Sequence, residues 1–158
     1  MRHDIIKLLQ PYFEKRDDII MAFLFGSWAS GKGGMDSDID IAVYFKPKTS
    51  RLEWEGSDAR YEGETALCRE IEGLLGKEVD LLVLNRAASS VAESAISGAP
   101  LVIKDRGLYV DFMMKVTAEA EDFREFAISY WKLKEEMRER RERRNESESL
   151  HHAEKRRP

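Results

Sequence analysis

The chain has 158 residues, of which 42% are hydrophobic and 35% charged, and its formal net charge is -4. That length suits one domain with an appendage, and the apolar fraction suffices for one ordinary core. The acidic balance argues against a non-specific nucleic-acid coat, which needs a basic surface, so no strong nucleic-acid binding is expected.

Cys68 is the lone cysteine. It cannot form an internal disulfide, which points to a reducing compartment. Beside Leu67 in a helical pattern, it reads as a packed thiol rather than a reactive one. The opening residues MRHDIIKLLQ lack an apolar signal core, and no stretch reaches the apolar length of a membrane span. The expectation is a soluble cytoplasmic protein with no membrane partner.

Ile5, Ile6, Leu9, Tyr12 and Phe13 recur at helical spacing and predict a first helix over 3–16, kinked or started late by Pro11. Residues 19–25 are a continuous apolar run, read as a buried strand ending at Gly26. Residues 26–37 hold four glycines and three serines and read as a loop or a short loop-helix. From Asp38 to Phe45 the pattern alternates, with Ile39, Ile41, Val43 and Phe45 on the side toward a core. Ser57 or Asp58 is expected to cap a helix running to Leu75, with Gly76 as its stop.

A third apolar run, Val79 to Leu84, contains Asp80. Ser89 or Ser90 opens a short helix ending near Gly98, and Pro100 to Ile103 fits an edge strand. A long helix then begins at Leu108. Tyr109, Phe112, Val116, Phe123, Phe126, Tyr130, Leu133 and Met137 follow three-four spacing. The stripe reads as core from Tyr109 to Phe123, and its continuation through Trp131 exceeds what so small a domain can cover. The element order predicts an α/β (α+β) fold with a small mixed sheet and flanking helices. Residues 1–105 form the expected catalytic domain, 106–145 a C-terminal helix, and 146–158 a disordered charged tail.

The chemistry concentrates in Gly26-Ser27, ten further residues, and Asp38-Ile39-Asp40. Two aspartates two apart on a strand share a face. Like charges so close are costly unless a cation lies between them. Hard carboxylate oxygens suit magnesium, which completes its shell with water and phosphate. Asp80 adds a third carboxylate that would be expensive if buried unpaired, and three carboxylates fit a site for two metal ions. Gly26 and Ser27 enter a glycine-rich turn whose backbone N–H groups and hydroxyl can cradle a triphosphate. Lys32 in the same loop can neutralise phosphate charge.

These residues, GS, ten positions, DID, and a later Asp in VDLLVL, resemble the signature of the DNA polymerase beta nucleotidyltransferase superfamily. Within it the chain is similar to the minimal nucleotidyltransferases (MNT, MntA-like), over roughly residues 1–135 by length and element order. The resemblance implies a polymerase-beta-like fold and a metal-dependent transfer of a nucleoside monophosphate, AMP from ATP, with pyrophosphate released. It implies that Asp38, Asp40 and Asp80 ligate metal, that Asp80 also helps activate the acceptor hydroxyl, and that Gly26 and Ser27 hold the triphosphate. Ser30 stands where many relatives carry a basic residue, and Lys32 lies two positions on. The resemblance also implies a partner, a HEPN-domain ribonuclease toxin for which many such proteins act as antitoxin, some by transferring AMP to a toxin tyrosine. Self-association is left open.

Competing readings fare worse. GSWASGKG falls one residue short of a P-loop, since Gly33 offers no hydroxyl for magnesium and the segment leads into a strand rather than a helix. Asp36, Asp38 and Asp40 mimic an EF-hand start, but Ile41 and Pro47 occupy the positions that need glycine and glutamate. Two functional alternatives stay open: a non-catalytic antitoxin that binds through its C-terminal helix, and an antibiotic nucleotidyltransferase, for which the chain looks short.

Overall fold

The computed structural model describes residues 2–34, 37–49, 51–54 and 60–154, with 146–154 as backbone alone. Helix α1 (Arg2–Glu14) buries Ile5, Leu9 and Phe13 along one face. Pro11 sits inside it on the exposed side, where the carbonyl it leaves unpaired can turn to water. Strand β1 (Ile19–Leu24) leads into a four-residue helix α2 (Gly26–Ala29), and strand β2 (Ile39–Phe45) follows. Helix α3 (Glu64–Leu75) is flanked by Gly63 and Gly76, both in the left-handed region. The expected caps Ser57 and Asp58 lie outside the described residues. Strand β3 (Val79–Val83) ends in a 3-10 turn (Leu84–Arg86), followed by α4 (Ser89–Ile96) and β4 (Ala99–Ile103).

The strands form one mixed sheet in the order β3-β2-β1-β4. β1 runs antiparallel to both β2 and β4, while β2 and β3 are parallel. Pro100 thus falls on an edge strand, where its missing donor costs no ladder bond. The alternation along β2 divides two cores. Ile39, Ile41, Val43 and Phe45 pack with Leu9, Phe13, Leu67 and Ile71 of α1 and α3. Ala42 and Tyr44, on the other face, pack with Ala92, Ala95, Phe112 and Val116 of α4 and the last helix. The single expected core is therefore two, because helices cover both faces of the sheet.

Helix α5 (Arg106–Glu154) starts two residues before the predicted Leu108, because the Asp105 carboxylate accepts the Leu108 N–H at 2.9 Å and caps it. Phe112, Val116 and Ala120 are fully buried, but Phe123 is 59% exposed. The core portion of the stripe thus ends at Ala120, short of the expected Phe123. The chain divides into compact units of residues 1–120 and 121–158. The backbone of residues 146–154 is helical, and 155–158, the end of the expected tail, lie outside the described residues. Exposed pairs such as Arg138–Glu142 at 3.7 Å and Arg143–Glu139 at 3.1 Å favour a helix where no core supports it. Among the described residues no helix is long and apolar enough to cross a membrane.

Asn85 pins the far end of β2. It is 2% exposed. Its Oδ1 accepts the Phe45 N–H at 2.8 Å, and its Nδ2 donates to the Phe45 carbonyl at 3.0 Å. The side chain thus stands in for a neighbouring strand, and leaving both backbone groups unpaired costs about 1–3 kcal/mol each. Asn85→Ala should lower the unfolding free energy by about that range, measured by urea denaturation with an unchanged slope. A loss under about 0.5 kcal/mol would show that the cap contributes nothing.

Candidate functional site

The predicted residues gather at one end of the sheet. β1 closes there at Leu24, opposite Ile41 of β2 and Ala99 of β4. Asp40 stands beside Asp80 in the parallel β2–β3 register, and residues paired this way project from the same face. Asp38 lies one residue before β2 and is exposed, while Asp40 is half-buried. Asp80 is exposed as well, so the cost that an unpaired charge would carry inside an apolar strand does not arise. β3 is an edge strand, so its outer end is left uncovered even though Val83 packs in the core.

Asp40 feels both of its acidic neighbours. Burial pushes the Asp40 carboxyl above its ordinary value, and the negative charges of Asp80 and Asp38 push it further. Among the described residues no three acidic, histidine or cysteine side chains form a ready-made cage for an ion. The donor chemistry nevertheless fits a hard divalent cation: hard oxygens, mutual repulsion, and one member partly desolvated. Magnesium needs few protein ligands, since water and phosphate complete its shell.

Gly26 is shaped to this carboxylate. Its φ of +66° is left-handed, and a Cβ there would meet Asp40 Oδ2 at 2.1 Å. Only glycine lets the backbone lie against Asp40. The Phe25 N–H, donating to the Asp40 carbonyl at 3.0 Å, holds the two segments together.

The loop that delivers Asp38 is clamped by Trp28, which the sequence reading did not single out. Trp28 is buried, and its Nε1 donates to the Ser37 carbonyl at 3.1 Å. A Cβ at Gly33 would meet the indole ring at 2.4 Å, so the chain passes flat across it. A large aromatic among glycines and serines was the available signal, since such a ring needs a surface to cover.

The remaining predicted residues divide. Ser27 is half-buried, and its carbonyl accepts the Lys32 N–H at 2.9 Å. The Ser30 hydroxyl is turned into its own loop, donating toward the Gly26 and Ser27 carbonyls at 3.2 and 3.0 Å. It caps α2 rather than offering a donor outward. Lys32 is exposed. Gly26 and Ser30 also line a groove of about 410 Å³ with Arg2, Ala29, Ser94, Ser97 and Gly98. Arg2, Ser94 and Ser97 carried no motif and come together only through folding. Cys68, half-buried, donates to the Val79 carbonyl at 3.5 Å. Burial, then Glu72 and Asp80, push its thiol up, which favours the unreactive protonated form.

A family model described as Polymerase beta, Nucleotidyltransferase matches residues 7–107. No curated protein matches the chain. Among solved structures, a toxin–antitoxin crystal structure with AMP-PNP is similar at 20% identity and a TM-score of 0.59, covering 83% of this chain and 95% of that one. A tri-AMPylated Shewanella oneidensis HEPN toxin in complex with MNT antitoxin is similar at 19% identity and a TM-score of 0.54, over 83% and 92%. The toxin–antitoxin MntA-HepT matches at 19% identity and a TM-score of 0.53, over 83% and 93%. At these identities the likeness speaks for the fold.

Two measurements probe the carboxylate cluster. The folded-state pKa of Asp40 is raised, so its contribution to stability is full below the unfolded value and is lost as pH rises through the folded one. Asp40→Asn should therefore melt higher than the metal-free wild type at pH 7, and the gap should close toward about pH 4. Millimolar magnesium or manganese should raise the wild-type melting temperature and not the variant's. Equal melting of the two proteins across this range would refute the electrostatic account. Separately, Gly26→Ala should cost about 1–2 kcal/mol from its left-handed backbone alone. Displacement of Asp40 should also abolish the metal-induced shift in melting, and a shift of wild-type size would contradict the close fit.

Proposed function

This chain belongs to the polymerase beta nucleotidyltransferase family, and from that premise we propose that it transfers AMP from ATP to a hydroxyl of a HEPN-type ribonuclease toxin, acting as its antitoxin. The observation that carries the reading is Asp40, flanked by Asp38 and Asp80 and pressed against Gly26 at the end of the sheet. Asp38, Asp40 and Asp80 would hold magnesium, two ions being what three carboxylates suit. When bound, the ions neutralise the charge that builds on the phosphates.

The residues have separable tasks. Gly26 and Ser27 cradle the triphosphate, through backbone N–H groups and the Ser27 hydroxyl. Lys32 adds positive charge from the same loop. In the transfer, the acceptor oxygen bonds to the α-phosphorus while the bond to the bridging oxygen breaks. Pyrophosphate leaves with that electron pair, and Asp80 takes the proton of the acceptor hydroxyl. Its exposure on an edge strand supports a large acceptor, since a protein side chain can approach from solvent.

Binding is assigned to residues 121–158. There Phe126, Tyr130, Trp131, Leu133 and Met137 are each more than half exposed, and contiguous apolar surface of this kind marks interaction sites. The binding-only reading draws on this same stripe. The HEPN toxin complex and the toxin–antitoxin MntA-HepT among the similar structures support the choice of partner, and a cytoplasmic location goes with that partner.

The deciding experiment is mass spectrometry of a cognate toxin incubated with this protein, ATP and magnesium. The toxin should gain AMP with wild type and not with the double variant Asp38→Asn, Asp40→Asn, which should still bind. Trp131→Ala should weaken binding by about 1–2 kcal/mol, as loss of an aromatic anchor does. A toxin left unmodified, yet neutralised equally by wild type and double variant, would establish the binding-only reading instead.

A further inference from the structure

We propose that the groove between α1, α2 and α4 receives the terminal phosphates of the nucleotide, with the Arg2 guanidinium as their cationic ligand. The inference rests on the nucleotidyltransferase reading and assigns a second half to that site. Across the end of the sheet, in strand order, lie Asp80 beside β2, Asp40, then Gly26 after β1, then Gly98 before β4. A triphosphate with its reacting phosphorus at the carboxylates and its chain over Gly26 points its far end at the β1–β4 side. The groove opens there, lined by Gly26 and Ser30 on one wall and by Arg2, Ser94, Ser97 and Gly98 around the rest.

The lining suits phosphate and not a nucleobase. Its described residues include no aromatic ring, and their largest apolar side chain is that of Ala29, so they offer a base nothing to stack on. Among the described residues of the lining, Arg2 is the one that carries a charge. The Ser30 hydroxyl donates to the Gly26 and Ser27 carbonyls, and the Ser97 hydroxyl donates to the Glu93 carbonyl at 2.8 Å. Donation to an anion therefore falls to Arg2, assisted by Ser94. A guanidinium presents a planar fork that matches two phosphate oxygens, where a backbone cradle offers only single N–H groups. Gly98 lets the chain pass close against β1 at this edge of the groove: a Cβ there would meet the Leu24 carbonyl at 2.3 Å.

Calorimetry on the untagged chain with magnesium tests this, using a non-hydrolysable ATP analogue and inorganic tripolyphosphate on wild type, Arg2→Ala and Arg2→Lys. Arg2 is exposed, so neither variant should disturb the fold. Arg2→Ala should weaken both ligands by about tenfold or more, by similar factors, with partial recovery in Arg2→Lys. Weakening of the analogue alone would place the nucleoside end in the groove and overturn the proposal. Unchanged affinities in Arg2→Ala, or wild type that binds the analogue but not tripolyphosphate, would also overturn it while leaving the nucleotidyltransferase reading intact. Wild type that binds neither ligand would bring down that reading itself.

Discussion

The contact between Gly26 and Asp40 is the constraint around which the working end of this molecule is built. A carboxylate that is half-buried, flanked by two further carboxylates and pressed against backbone is costly in isolation. It persists because everything beneath it is rigid. β2 is buried on both faces and paired on both edges, so Asp40 cannot relax by slipping register without moving two cores at once. Packing holds the charge where it would not settle by itself, which leaves the site receptive to an opposite charge.

The same logic extends to residues 26–34 ahead of β2. Four glycines would let the chain from residue 26 to 34 wander, but Trp28 gathers it. One buried indole supports Gly33 through ring contact and Ser37 through a hydrogen bond. Asp38 follows directly. The four-residue helix α2 thus also mounts this ring, and Gly33 is thin enough to cross it.

Helix α5 divides by the company it keeps. Up to Ala120 its apolar residues fill the second core; beyond that point Phe123, Phe126, Tyr130 and Leu133 keep the same three-four spacing and are each more than half exposed. Aromatic neighbours touch one another along the helix, Phe126 with Tyr130 and Tyr130 with Trp131, and Lys134 lies over the Trp131 ring at 5.0 Å. Such contacts order the surface without removing it from water, so its apolar area stays available to a binding partner.

The sequence by itself determined the element order, the mixed sheet and the candidate aspartates. Those features are local: a period of two or of three to four, a glycine where a strand must turn, and an Asp-x-Asp pair whose phase is set by one strand. The tertiary structure alone decided the rest. Nothing near Asp80 in the chain says that its strand lies at an edge, so its exposure could not be read from an apolar run. Nor could the sequence show that Ala42 and Tyr44 face a second core, since alternation distinguishes the two faces of a strand but not what covers each. The end of the buried stripe at Ala120 depends on how far the rest of the fold reaches. Arg2, Ser94 and Ser97 share a groove with Gly26 only because three helices meet there, and a juxtaposition between residues so distant in the chain leaves no trace in any local pattern.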